Sequence, residues 1–358
     1  MGSIRTVLAL IVLISHGGLG NAFIGPRTSV QIFYIISGFL ISFVLTEAKT
    51  YESKKLFYTN RFLRIYPSYW IVAAFSLTIH SITSSVLGTN NIIFDALSII
   101  SDSNKIIIYI VNSIIFGMDT LMFVKVQDGH FAFMKIASYE EHKFTQSFII
   151  QPAWSLSIEL TFYLIAPFIL SSKKRIITIL TLSLALRVYL VAIGLGRFDP
   201  WSYRFFPTEL AMFLIGSLSH QVWKRWLEER SLLSGNKPTY VFCATLAYFL
   251  LFSLIPNRSF NSWAIFLIFP ACLPFLFCFQ CKYRWDRSIG ELSYPIYIIH
   301  MPVMYNVQSV LMYLEMKDTP LLEISITIAI TIPLSYLLNK TVGRFIETLR
   351  TNVKAGKD

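Results

Sequence analysis

The sequence predicts an all-α polytopic membrane protein of about ten transmembrane helices with both termini cytoplasmic. Three observations support this. The 358 residues are 54% apolar and only 14% charged, where a soluble protein carries about 25% charge. The mean hydropathy is +0.58. The apolar residues gather into runs of about 17–25, each long enough for one crossing. These runs lie near 4–22, 28–46, 67–87, 154–171, 175–195, 206–222, 239–255, 262–280, 288–312 and 320–341. Of the 31 Lys and Arg residues, 21 fall on the side that holds the N-terminus, and an excess of basic residues marks cytoplasmic loops. The net charge of +11 does not point to nucleic acid, because the basic residues alternate with apolar spans instead of lining one soluble face.

The first 67 residues form the most informative stretch. Residues 1–22 resemble a signal peptide, and Gly2 with Thr6 fits a myristoylation pattern. Cleavage would remove Arg5 and His16, so the segment is read as a retained first span. Eleven helical residues place His16 roughly 16 Å above Arg5, near the bilayer centre. An ionisable side chain at that depth is costly, and its default reading is functional. A neutral imidazole can take a proton from a hydroxyl near neutral pH; the alternative is a histidine bonded to a neighbouring helix. The second span carries Ser37-Gly38-Phe39. Ser37 is a candidate nucleophile with no base beside it in sequence, and Gly38 permits close helix approach. Arg61 and Arg64 are spaced i, i+3 and share a helix face. With Arg5 they offer guanidinium forks suited to phosphate, or they simply anchor the basic side.

Between residues 88 and 153 the chain is ambiguous. Ile106–Phe123 is apolar, but a single crossing there would invert every later loop against the charge rule. An outer, partly interfacial segment containing helices is expected. His130 and His142 read as solvated loop residues. The fourth span opens with Trp154 and Ser155, and Glu159 lies about 1.5 turns deeper, where it needs a partner; His16, Arg187 and Arg204 are the candidates. The ninth span opens with Ser293 and Tyr294 and carries His300, a supporting cavity residue or a side chain bonded to a carbonyl exposed by Pro295 or Pro302. Glu209 and His220 share the same ambiguity. The four cysteines, including Cys278 and Cys281, complete no metal site and read as apolar filler. The domain reading is a single transmembrane unit over 1–345 with a cytoplasmic tail over 346–358.

Taken in order, these motifs resemble the acyltransferase-3 family, the bacterial integral-membrane O-acyltransferases of envelope polysaccharides. Arg5 and His16 match its opening helix, Phe33 to Ile41 its Ser-Gly-Phe-Leu-Ile run, and Phe57 to Pro67 its Arg-x-x-Arg exit. Trp154 to Pro167 and Ile289 to His300 are similar to its middle and late motifs. Two departures stand out: Gln31 replaces a common acidic residue, and Glu347 is not followed by the usual x-Pro. The resemblance implies a multi-pass protein of the bacterial inner membrane. Acetyl-CoA or another acyl-CoA would serve as co-substrate, docked on Arg61, Arg64 and Arg5. The acceptor would be a hydroxyl of an envelope polysaccharide, such as lipopolysaccharide O-antigen, or of a lipid-linked glycan. His16 would act as general base with Glu159 orienting it, and an acyl-enzyme through His16 or Ser37 remains open. No metal is required. Without a fused esterase-like domain, the acyl group would be delivered directly or handed to a partner protein of envelope biosynthesis. A secondary transporter and a non-catalytic polysaccharide export or assembly component are the rival readings; no internal repeat of the kind transporters show is visible.

Overall fold

The computed structural model describes residues 1–19, 22–47, 53–138, 143–229, 235–255, 258–316 and 319–354. Its helices are α1 (Gly2–His16), α2 (Gly25–Thr46), α3 (Lys54–Leu87), α4 (Ile92–Ser98), α5 (Asp102–Ile114), α6 (Ala153–Ile169) and α7 (Lys173–Ala192), then α8 (Phe206–Glu229), α9 (Lys237–Leu251), α10 (Arg258–Lys282), α11 (Arg284–Gly290), α12 (Ser293–Tyr313), α13 (Pro320–Leu338) and α14 (Arg344–Lys354). Each of the expected apolar spans falls on a helix. Among the described residues, six helical stretches are long and apolar enough to cross a membrane, and α1 and α6 are shorter apolar helices. The chain is a multi-pass membrane protein.

The bundle is tied together where small residues let backbones meet. A Cβ on Gly38 would lie 1.9 Å from the carbonyl oxygen of Phe213, and one on Gly216 would lie 1.9 Å from that of Ile35. α2 and α8 therefore touch backbone to backbone, as small residues permit between apolar helices. Ser217 adds a hydrogen bond to the Gly38 carbonyl at 3.0 Å. The start of α1 is held in the same way. Asp286 of α11 accepts from the backbone N–H groups of Gly2 (2.7 Å) and Ser3 (2.9 Å), satisfying donors that a helix start otherwise leaves open. α1 and α12 thus leave this end side by side, and Arg5, Arg61 and Arg64 gather near it. It is called the basic end below.

Three features differ from the expectation. α3 is one helix of 34 residues running through Pro67, so the basic exit and the third span are continuous. The 88–153 segment reaches further along the bundle than an outer loop would. α5 has 13 residues, about 20 Å, too short to cross. Its C-terminal carbonyls receive hydrogen bonds from Tyr66 (2.5 Å), Tyr69 (2.8 Å) and Trp70 (2.9 Å) of α3. Tyr66 lies ~32 Å along α3 from Leu87, so the segment dips far down the bundle. Ile108, Ile115 and Met118 are fully buried there, while Ile106, Tyr109 and Ile110 stay exposed. Irregular backbone at such depth requires protein partners, and the three α3 side chains supply them. The segment also departs from all-α: β1 (Val124–Gln127) pairs antiparallel with β2 (His130–Phe133). Asp128 and Gly129 both adopt positive φ, 50° and 79°, the signature of a tight two-residue hairpin turn. His130 is exposed on β2, and His142 lies outside the described residues. The expected tail is helical as α14 and fixed to α3, with Arg350 donating to Asn60 Oδ1 at 3.3 and 3.2 Å.

Gly38→Val should force α2 from α8 and cost about 1–3 kcal/mol or more. Thermal unfolding in detergent checks this: a clearly lower Tm is expected, and an unchanged Tm would contradict the backbone contact.

Candidate active site

His16 forms the last residue of α1 and does not stand alone. Its Nδ1 lies 3.0 Å from Nε2 of His300, and the two rings stack at 5.3 Å between centroids and 7° between planes. The network assigns the protons. His300 Nδ1 lies 3.2 Å from the carbonyl oxygen of Ile296, which can only accept, so Nδ1 carries the hydrogen. Nε2 of the neutral His300 is then an acceptor, and His16 Nδ1–H donates to it. His16 Nε2 is left with its lone pair. His300 is fully buried and His16 is exposed, so the basic nitrogen belongs to the reachable ring. The carbonyl that His300 uses is that of Ile296, not the Ile298 carbonyl that Pro302 leaves without its helical donor.

The walls around this pair come from α6, α12 and the approach to α8. Ser155 Oγ meets Tyr297 Oη at 2.7 Å, and the Tyr297 and His300 ring centroids are 6.0 Å apart. Trp154 carries the Arg204 guanidinium 4.3 Å above its ring and packs edge-on against Tyr203. Arg204 is fixed by Asp199 at 2.7 and 3.0 Å and lies within electrostatic range of His16. The sequence offered Arg204 only as a candidate partner of Glu159; its place near His16, 188 positions away, is new from the structure.

Glu159 is not the hydrogen-bond partner of His16. Ser37 Oγ donates to its Oε1 at 2.5 Å, and Tyr163 Oη donates to the same oxygen. Ser37 and Tyr163 also meet at 3.2 Å. The serine with no neighbouring base in sequence therefore gains a carboxylate from 122 positions away. The other suggested partners of Glu159 are engaged elsewhere: Arg187 bonds Glu209 at 2.6 Å, and Arg204 bonds Asp199. Arg5 lies within electrostatic range of both Glu159 and Arg64.

At the basic end, Arg5 Nη2 donates to the Gly290 carbonyl at 3.2 Å, and its buried Nε has no hydrogen-bond partner among the described residues. The Arg61 guanidinium lies 5.6 Å from the rings of both Phe57 and Tyr163. Asn60, fully buried, accepts from both Arg61 and Arg350. Arg64 is half-buried. Tyr294 ties α12 to this corner through the Ile65 carbonyl at 2.8 Å, and Ser293 bonds the Gly290 carbonyl at 2.8 Å. Three arginines thus converge, with Glu159 and Asp286 the carboxylates within range of Arg5, a net positive patch suited to a polyanion. Phe39 belongs elsewhere: it is fully buried against His220 and Phe277 and serves packing. The position where Gln31 replaces an acidic residue is a buried polar knot, its amide donating to both oxygens of Glu209 at 3.1 and 3.0 Å.

The structure thus sets a histidine pair at one end of α1 and an arginine cluster at its foot. An acyltransferase-3 domain profile matches residues 3–340, nearly the whole chain. The protein belongs to the acyltransferase-3 family and is an acyltransferase. It is also similar to an uncharacterized protein of Aquifex aeolicus (strain VF5), 21% identical over 210 residues, covering 57% of this chain and 90% of that relative. No solved structure matches it.

Removing one partner of a buried ion pair strands the other. Arg187→Met alone should therefore destabilise the protein by ~3–5 kcal/mol. Arg187→Met combined with Glu209→Leu should recover most of that loss in Tm; equal Tm values for the single and double variants would contradict the pairing.

Proposed function

We propose that this protein carries an acyl group, acetyl in the first instance, from cytoplasmic acyl-CoA to a hydroxyl of an envelope polysaccharide or lipid-linked glycan on the outer side of a bacterial inner membrane. The observation that carries the proposal is the His16–His300 pair, which presents a free imidazole nitrogen at the far end of the helix whose foot holds Arg5. On this reading the arginine end faces the cytoplasm. Arg5, Arg61 and Arg64 hold the CoA phosphates, with Arg350 behind them through Asn60. The thioester arm runs up the bundle, roughly 16 Å along α1, to the level of His16.

The chemistry follows from the proton assignment. His16 Nε2 takes the proton of the acceptor hydroxyl as its oxygen attacks the thioester carbonyl. The positive charge that develops on His16 is shared through Nδ1–H with His300, as a base is steadied by the group behind it. The new C–O bond forms, the C–S bond breaks, and the departing thiolate takes the proton back from His16. Ester and free CoA are the products, and no metal is needed for this route. On this reading His300 takes the orienting role that the resemblance implies for Glu159.

The Ser37–Glu159 contact favours a second route. Glu159 takes the Ser37 proton as Ser37 attacks the thioester, and CoA leaves with that proton; the acceptor hydroxyl then attacks the seryl ester with Glu159 again as base, and the proton returns to Ser37. An acyl-enzyme of this kind divides one step in two. The two routes differ in whether acyl-CoA alone, without acceptor, leaves an acyl mass on the Ser37 peptide.

His16→Ala should lower acyl transfer by about 10²–10⁴-fold, the usual worth of a positioned general base. Mass spectrometry of surface glycans, together with thiol release from acyl-CoA by purified protein, checks this. Full activity of His16→Ala at equal membrane abundance would remove it as the base. Absence of acyl-CoA-dependent thiol release from the unaltered protein, supplied with an acylatable glycan, would favour transport or assembly. Arg61→Lys keeps the charge and loses the fork, so acyl-CoA affinity should fall by about tenfold, or ~1.4 kcal/mol; an unchanged affinity would place the phosphates elsewhere.

A further inference from the structure

A cavity apart from the histidine pair opens between the Leu87 end of α3, the loop that follows it, and the second half of α12. His80 and Thr83 line one wall, Asn90 the mouth, and Tyr305, Asn306 and Ser309 the other wall. Its volume is ≈ 140 Å³, about ten times what one water needs. That is room for a ring-sized ligand.

The lining is selective in its chemistry. Its side chains are hydroxyls, amides, an imidazole, one aromatic ring and two aliphatic groups, and it contains no Asp, Glu, Lys or Arg. Hydroxyls and amides both donate and accept, so they match a ligand whose groups do the same. A phosphate or carboxylate would enter with no cation to meet it, and an ammonium with no carboxylate; an unpaired charge is costly in such a site. His80 is buried and its Nδ1 lies 2.7 Å from the Ser76 carbonyl. That bond places the hydrogen on Nδ1 and leaves Nε2 an acceptor. Asn306, 3.3 Å from His80 Nδ1, instead donates to the Pro302 carbonyl at 2.6 Å.

The cavity is also mechanically joined to the histidine chamber. Tyr305 packs on the apolar cluster of Leu13, Met301, Met304 and Ile324, beside Ile14, one turn before His16. Its hydroxyl bonds Gln151, just ahead of α6. Along α12, Asn306 stands ~9 Å beyond His300.

The geometry points to an acceptor subsite: this cavity binds an uncharged sugar unit of the glycan, held by its hydroxyls, while a neighbouring unit of the same chain presents its hydroxyl to His16. The assignment rests on the proposed acyl transfer to a glycan for its role, though not for the binding itself.

The test uses the full chain in nanodiscs with Ser309→Cys. The rate at which a water-soluble maleimide modifies Cys at 309 is read by peptide mass spectrometry, with and without added saccharides. The panel holds neutral oligosaccharides of hexose, deoxyhexose and N-acetylhexosamine type, an oligogalacturonate, and glycerol phosphate as a lipid-headgroup mimic. At least one neutral saccharide should slow modification by about threefold at twice its Kd, with Asn306→Leu abolishing the protection. Thr83→Cys on the facing wall should show the same order of protection. No protection by any neutral saccharide at either position, or equal protection by glycerol phosphate or oligogalacturonate, overturns the assignment. Because no acyl-CoA is present, saccharide protection alongside a failure of thiol release would keep the binding site and discard the acyl-transfer reading.

Discussion

One hydrogen bond, from His16 Nδ1 to His300 Nε2, decides what this chamber can do. It depends on α1 and α12 lying side by side, and that alignment is set at the opposite end. Asp286 caps α1, while Gly290 lets α11 approach so closely that a Cβ there would sit 2.4 Å from the Gly2 Cα. A bulky residue at either glycine would tilt α1 away from α12, and a small tilt at the foot becomes a larger displacement at His16. The carbonyl of Ile296 then fixes the His300 tautomer, and His300 fixes that of His16. The proposed base is thus assembled from two helices and one carbonyl.

The remaining ionisable groups are distributed with a consistent logic. Each buried carboxylate has donors or a cation. Glu209 has Arg187 and Gln31, Asp286 has backbone N–H groups, and Glu159 has Ser37 and Tyr163. Such pairing is what a low-dielectric interior demands. Against that background the basic end is unbalanced: Arg5, Arg61 and Arg64 gather there, while its carboxylates Glu159 and Asp286 are already held by hydroxyls and by backbone N–H groups. The two ends therefore differ in kind: a cationic corner, and a histidine pair proposed as the reacting group. This polarity along α1 is what a donor-to-acceptor transfer across a membrane requires, and a symmetric transporter site would not need it.

Much of this was legible in the sequence where local geometry carries the signal. The Arg5–His16 separation follows from helical rise, the Arg61–Arg64 face from the i, i+3 rule, and the apolar spans from composition. Partners distant in the chain were not legible. Ser37 meets Glu159 across 122 positions, His16 meets His300 across 284, and Asn60 meets Arg350 across 290; no spacing rule relates such residues. The depth reached by the 88–153 segment was hidden for a related reason, since its fate depends on three aromatic side chains of α3. The hairpin is different: Asp128-Gly129 between Val124-x-Val126 and Phe131-x-Phe133 is a recognisable turn signal, masked by the surrounding polar character.

The most direct measurement of the central claim is the protonation of the two rings. Nitrogen NMR of ¹⁵N-histidine-labelled protein in bilayers, with His16 and His300 assigned by their Gln variants, reads each tautomer separately. The hydrogen-bond geometry predicts both rings carrying hydrogen on Nδ1, with His16 Nε2 bare. A hydrogen on His16 Nε2 and none on Nδ1 would contradict it, because the ring would then have no lone pair directed at a substrate.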